Sequence, residues 1–96
     1  MRLFVYCLLF LMTSPLYAAA SLHLLTEHFP PYNYQEGGRI TGINAEIVHR
    51  LCEITNTQCS MQLYPWLRAY EYALQDPQAG LFSTSRTPER RDKFQW

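Results

Sequence analysis

The residues with the clearest capacity for chemistry lie near the end of the sequence, in Ser83-Thr84-Ser85-Arg86-Thr87-Pro88-Glu89-Arg90-Arg91. Two hydroxyls at alternate positions, then Thr-Pro-Glu and further charges, predict a strand running into the first turn of a helix. A helix start offers outward backbone N–H groups and the positive end of a dipole, and a guanidinium adds a planar fork that grips a carboxylate in bidentate fashion. The chemistry so implied is capture of a small carboxylate. The same residues also describe an ordinary capped surface helix with solvated arginines, and spacing alone leaves both readings open. No zinc-type Cys/His spacing occurs, and no spacing of Ser, His and Asp or of Cys and His argues for nucleophilic catalysis. The histidines at 23, 28 and 49 read as structural or exposed, so neither a metal nor a cofactor is expected.

The elements around this stretch must position it. Leu22-His23-Leu24-Leu25-Thr26 reads as a buried strand that breaks at Phe29-Pro30-Pro31-Tyr32, where the prolines force an extended turn. Glu36-Gly37-Gly38-Arg39 is a turn, and Ile40-Thr41-Gly42 leads into a helix capped by Asn44. In that helix Ile47, Val48, Leu51 and Cys52 fall on an inner face and Glu46, His49, Arg50 and Glu53 on the outer one. Thr55-Asn56-Thr57-Gln58 ends it, and Met61-Gln62-Leu63-Tyr64 alternates as a second strand. Pro65-Trp66 begins a second helix with Leu67, Tyr70, Ala73 and Leu74 inward, stopped by Asp76-Pro77, and Gly80-Leu81-Phe82-Ser83 is a third strand. Strand, helix, strand, helix, strand predicts an α/β fold with a parallel sheet. Ligands in such sheets sit beyond the carboxyl ends of the strands. Phe29 and Tyr32, Trp66, and Ser83 to Arg86 follow the ends of strands one, two and three, and this convergence favours the functional reading of the opening stretch.

The bulk properties narrow the class. Met1-Arg2 is a short basic start, residues 3–12 are an apolar run, and Ser14-Pro15 precede Ala18-Ala19-Ala20, the pattern of a secretory signal peptide over residues 1–20 with cleavage after Ala20. The run has about half the length a membrane-spanning helix needs, and no small residues precede Cys7 as a lipoprotein signal requires. An exported soluble chain is therefore expected. The formal charge is zero, with 8 basic and 8 acidic side chains and no long run of one sign, which argues against nucleic-acid or membrane-surface partners. A mature chain of about 76 residues, 21–96, sits where a hydrophobic core is marginal. Once Cys7 leaves with the leader, Cys52 and Cys59 remain, and in an exported protein such a pair reads first as a disulfide, with two free buried thiols as the alternative.

The mature sequence resembles the N-terminal part of a periplasmic solute-binding protein of family 3, the group serving polar amino acid ABC transporters. Phe29-Pro30-Pro31-Tyr32, Gly42-Ile43-Asn44-Ala45-Glu46-Ile47, Pro65-Trp66-Leu67-Arg68-Ala69 and Arg86-Thr87-Pro88-Glu89-Arg90 with Phe94 and Trp96 carry the likeness, and the Cys52/Cys59 spacing resembles the disulfide of basic amino acid binders. The resemblance implies residues 21–96 to be part of lobe 1 of a two-lobed fold that closes over its ligand. It implies Arg90 as the clamp for an α-carboxylate, Ser83 and Ser85 as hydroxyl contacts, Phe29 and Trp66 as an aromatic pair around the side chain, Tyr32 beside them, and Glu27 facing a ligand amine. Arg86 stands where the amino acid binders often have an apolar residue, so it adds a second carboxylate contact or fills the site. Family members continue through a hinge and a second lobe, so a truncated reading frame is expected. The implied function is capture of an amino acid or similar polar solute for a membrane permease, without catalysis. A cyclohexadienyl dehydratase-like enzyme, or a sensory module of a receptor kinase or cell-wall lytic enzyme, are the alternatives the same resemblance allows.

Overall fold

The computed structural model describes residues 20–96, so residues 1–19 of the expected signal peptide, Cys7 among them, lie outside the described residues. The sequence-expected parallel α/β sheet is present. Strand β1 (Ser21–Thr26) runs between β4 (Gln58–Leu63) and β5 (Ala79–Leu81), parallel to both, in the order β4-β1-β5. The chain leaves β1 through helix α1 (Ile43–Ile54) to β4, then returns through α2 (Trp66–Gln75) to β5 on the other flank. Right-handed crossovers travelling in opposite directions put α1 and α2 on opposite faces of the sheet. The sequence of β1 fits this position. Successive strand residues point to opposite faces, and Leu24, Leu25 and Thr26 are all buried, as a strand covered on both sides requires.

Between β1 and α1 lies a feature the sequence reading reduced to its turn. Tyr34–Glu36 (β2) and Arg39–Thr41 (β3) pair antiparallel around Gly37 and Gly38. Both glycines have positive φ, 57° and 76°, the conformation a tight two-residue hairpin needs at both central positions. Three-residue strands of mixed composition carry too little alternation to be read as strands. The hairpin is tied to α1 by Arg39, whose guanidinium hydrogen-bonds to Glu46, and by Thr41 Oγ1, which donates to Glu46 Oε1 at 2.8 Å. These bonds, the one from Arg39 first, hold the Glu46 carboxyl below its ordinary pKa and raise that of Arg39.

Helix α1 is capped by Gly42, not by Asn44, which lies inside the helix. Gly42 has φ 116°, and a Cβ there would stand 2.4 Å from the Tyr32 carbonyl oxygen, so this position admits only glycine. At the other end Thr57 N–H donates to Cys52 O at 2.9 Å and Asn56 N–H to Glu53 O at 3.2 Å, with Asn56 at φ 51°. This paired arrangement closes the last carbonyls of a helix around a left-handed residue. The Cys52–Cys59 disulfide then staples the end of α1 to β4, with Cα atoms 6.3 Å apart. Cys59 sits within β4, which begins earlier than the sequence reading placed it.

Both helices turn a smaller face to the sheet than expected. In α1 the fully buried residue is Ala45, with Val48 and Cys52 half-buried, while Ile47 and Leu51 are 56% and 53% exposed. In α2 the buried residue is Ala69, with Tyr70 and Ala73 half-buried, while Leu67 is 66% exposed. Small side chains let the helix backbones approach the sheet closely, and the larger residues fall on the neighbouring stripe.

Candidate functional site

Three loops leave the carboxyl ends of β1, β4 and β5 on the same edge of the sheet. Because the chain runs from β1 to β4 on one flank and then from β4 back across to β5 on the other, that edge is also the point where the strand order reverses, the place where open α/β sheets form a crevice. After β1, Glu27 is half-buried and the chain folds into a closed turn in which Tyr32 N–H and Asn33 N–H both donate to Phe29 O, at 2.9 and 3.0 Å. The Pro30–Pro31 bond in this turn is cis. The carbonyls of Pro31 and Tyr32 in turn accept from the first N–H groups of α1, Ile43 at 3.0 Å and Asn44 at 3.0 Å. The start of α1 is thus satisfied by the protein itself and does not offer an anion site. After β4, Pro65 precedes the helix and sets Trp66 at its first position, as expected for a proline whose missing N–H costs nothing there.

The loop after β5 differs from its sequence expectation. No helix follows Pro88 among the described residues. Residues 88–93 are turns, with Arg90 N–H and Arg91 N–H both donating to Thr87 O, at 3.0 and 2.9 Å, and Lys93 N–H to Arg90 O at 3.0 Å. A single turn carries no dipole to speak of, so neither the helix-start anion site nor the capped surface helix describes this segment. Its chemistry rests on side chains. Phe94 explains the stop: it packs edge-on against Tyr70 of α2 at 5.4 Å, and Trp96 packs against Phe94 at 5.9 Å, which bends the chain back towards the sheet.

Glu27, Trp66, Ser83, Ser85 and Arg90 line one open cleft of about 300 Å³ at this edge. Five of the expected site residues, drawn from all three loops, therefore meet. The half-buried Arg90 holds its guanidinium over the Trp66 ring at 5.2 Å and the Tyr70 ring at 5.6 Å, and Nη1 donates to Ser85 O at 3.3 Å. Aromatic faces attract the cation. None of the ion pairs among the described residues involves Glu27 or Arg90, so the cleft carries one negative and one positive group that are not neutralised by each other. A second cleft of about 380 Å³, bordered by His28, Leu63, Tyr64 and Pro65, shares Glu27 with the first.

Three expected residues do not line the Glu27–Arg90 cleft. Phe29 stacks on Tyr32 within the first loop, centroids 5.5 Å apart, so Phe29 and Trp66 do not face each other across the cleft. Arg86 points away and lies 5.9 Å from the Trp96 ring. Three larger hollows, between β4 and the hairpin, along α2, and between α2, β5 and Phe94–Trp96 at the end of the sequence, share no lining residue with this cleft. The sequence reading missed Asn33 and Thr26, both fully buried polar side chains. Thr26 Oγ1 donates to Phe82 O at 2.9 Å, and Asn33 Nδ2 donates to Glu27 O at 2.9 Å. An asparagine after two prolines signals only a turn, and nothing local marks a threonine at a strand end as a bridge to residue 82.

Comparison with curated proteins and with solved structures gave no match. A family model, bacterial extracellular solute-binding proteins, family 3, matches residues 23–96 and so covers most of β1, both helices and the whole of the cleft. With three crossover-linked strands converging on a cleft lined by both a carboxyl and a guanidinium, the chain belongs to the bacterial extracellular solute-binding proteins of family 3.

Proposed function

We propose that the protein captures an amino acid or a closely similar zwitterionic solute in the periplasm and presents it to an ABC transporter permease. The observation that carries this reading is the pair of unneutralised opposite charges on one cleft, Arg90 and Glu27, with an aromatic face beside them. A carboxylate accepts from the Arg90 guanidinium, which packs over the Trp66 and Tyr70 rings, and an ammonium group turns to Glu27. Ser85 adds a hydroxyl at the same wall. The ligand's side chain runs past Glu27 towards Tyr64 and Pro65, where the second cleft gives it room.

An enzyme of the dehydratase type needs an acid and a base, and among the described residues Glu27 is the one carboxylate bordering this cleft, which favours binding over catalysis. The reading also places the mature start at Ser21, after removal of residues 1–20; N-terminal sequencing of the exported protein should return Ser21, and recovery of Met1 would refute it. The function itself is tested by calorimetry on the full-length protein with each of the twenty standard amino acids. Binding of at least one, abolished or greatly weakened by Arg90→Ala, is the expected result. Indifference of every bound amino acid to Arg90→Ala would overturn the assignment.

A further inference from the structure

We infer that Asn33, Asn44 and Ser83 form a hydrogen-bonded triad that sets the position of Arg90 relative to Glu27, and that the Ser83 hydroxyl is committed to this triad instead of donating to a ligand. The inference deepens the solute-site reading and rests on it. Its first support is the direction of the hydrogen bonds. Asn33 Nδ2 lies 2.9 Å from the Glu27 carbonyl, which can only accept, so Asn33 Oδ1 is the atom that faces Ser83 and it accepts from the Ser83 hydroxyl. Ser83 has then used its one proton. Asn44 Nδ2 donates to Ser83 Oγ at 2.9 Å, which leaves that oxygen with one free lone pair and no hydrogen to offer a carboxylate.

The second support is backbone geometry. Ser83 has φ 58°, in the left-handed region that an L-residue other than Asn or Gly adopts only when its surroundings hold it. Asn33 is fully buried, and its side chain joins the carbonyl of Glu27 at one end to Ser83 at the other. Two residues past Ser83, the Ser85 carbonyl accepts from Arg90 Nη1 at 3.3 Å. A continuous path therefore runs from the residue bearing the acid, through Asn33 and Ser83, to the guanidinium. Buried networks of this kind act as a unit when every member is satisfied, and no buried side-chain polar atom is left unpaired among the described residues.

The experiment uses full-length protein and reads two quantities. In the ligand-free protein, amide hydrogen exchange is followed at Phe82, which donates to Leu25 O, and at Arg90, which donates to Thr87 O, with the amide of Ala69 in α2 as the control. Asn44→Ala and Ser83→Ala should each speed exchange at Phe82 and Arg90 by about tenfold, a net hydrogen bond's worth, while Ala69 keeps its rate. Asn33→Ala should do the same; if its loss unfolds the protein, the half-buried Asn44 still decides the matter. In the second measurement, the amino acids bound by the unaltered protein are titrated into the variants. Asn44→Ala and Ser83→Ala should weaken them to the same degree, and the double variant should be no weaker than either single one. Weaker binding by Ser83→Ala with unchanged exchange at Phe82 and Arg90 would make Ser83 a ligand contact and overturn the triad, as would unchanged exchange in all variants. Should no amino acid bind the unaltered protein, the solute reading falls, and the exchange rates alone still judge the triad.

Discussion

Arg90 holds one of its five N–H donors on Ser85 O and packs its guanidinium over Trp66 and Tyr70, which leaves four donors for a ligand. Arg90→Lys retains the charge and loses both the fork and the stacking, and it should weaken solute binding measurably. Arg90→Ala should cost about 2 to 4 kcal/mol in binding free energy by calorimetry, as expected when one partner of a desolvated charged contact is removed. Arg91, exposed and 3.6 Å from Asp92, serves as the control and should be indifferent to alanine. A second residue-scale outcome concerns Glu46. Its carboxyl pKa is lowered by the Arg39 and Thr41 hydrogen bonds, so the stability these bonds add is complete above the unfolded carboxylate's pKa and is lost as pH falls through the lower folded value. NMR titration should give Glu46 a midpoint below that of an ordinary glutamate, and Arg39→Ala should move it upwards. Trp66 and Ser85 could be placed at this edge from the sequence because each follows a strand end and bears a ring or a hydroxyl, whereas Glu27 and Arg90 came only with the family resemblance. Asn33 was not legible, because its meaning lies in a serine 50 residues away.

At the scale of elements, the disulfide and the closing motif of α1 act on the same few residues. The bridge spans a sequence separation of 7 and ties the end of α1 to the strand it feeds. Replacing both Cys52 and Cys59 by serine should lower the unfolding free energy by about 2.5 kcal/mol in denaturant titrations, on the chain-entropy account of so short a loop. The same titration under reductant should give the unaltered protein a matching loss. The order of strands and helices was readable from periodicity and from Pro65, Asp76 and Pro77, which bound their elements as expected. Which face of each helix meets the sheet was not. Helix α1 carries two apolar stripes, Ala45-Val48-Cys52 and Ile43-Ile47-Leu51, and hydrophobicity favours the larger side chains. The sheet instead receives the small ones, because Gly42 pins the helix start against the carbonyls of Pro31 and Tyr32 and so fixes its rotation. The helix expected after Pro88 failed for a related reason: burying Phe94 against Tyr70 outweighs extending a turn of charged residues.

For the whole molecule, the described residues bury few large apolar side chains, Leu24 and Leu25 foremost, while Ile43, Ile47, Leu51 and Ile54 stand more than half exposed along α1. The cleft is also open, and its polar groups contact a ligand from one side. Fold class was legible here because it follows from element order, whereas cleft depth depends on which side chains cross from loop to loop. The position of β1 has one more consequence. It is the first strand in the sequence and the middle one in the sheet, so its partners, such as Ser60 opposite His23 and the Phe82 carbonyl above Thr26, lie 37 and 56 residues downstream. While the ribosome is still making the first half of the chain, β1 has nothing to pair with, and the central sheet can close only after β5 has been synthesised. Under the export proposed above, in which the chain threads a secretion channel as an extended strand, late closure is an advantage written into the topology: the segment that crosses first is the one least able to fold before it has crossed.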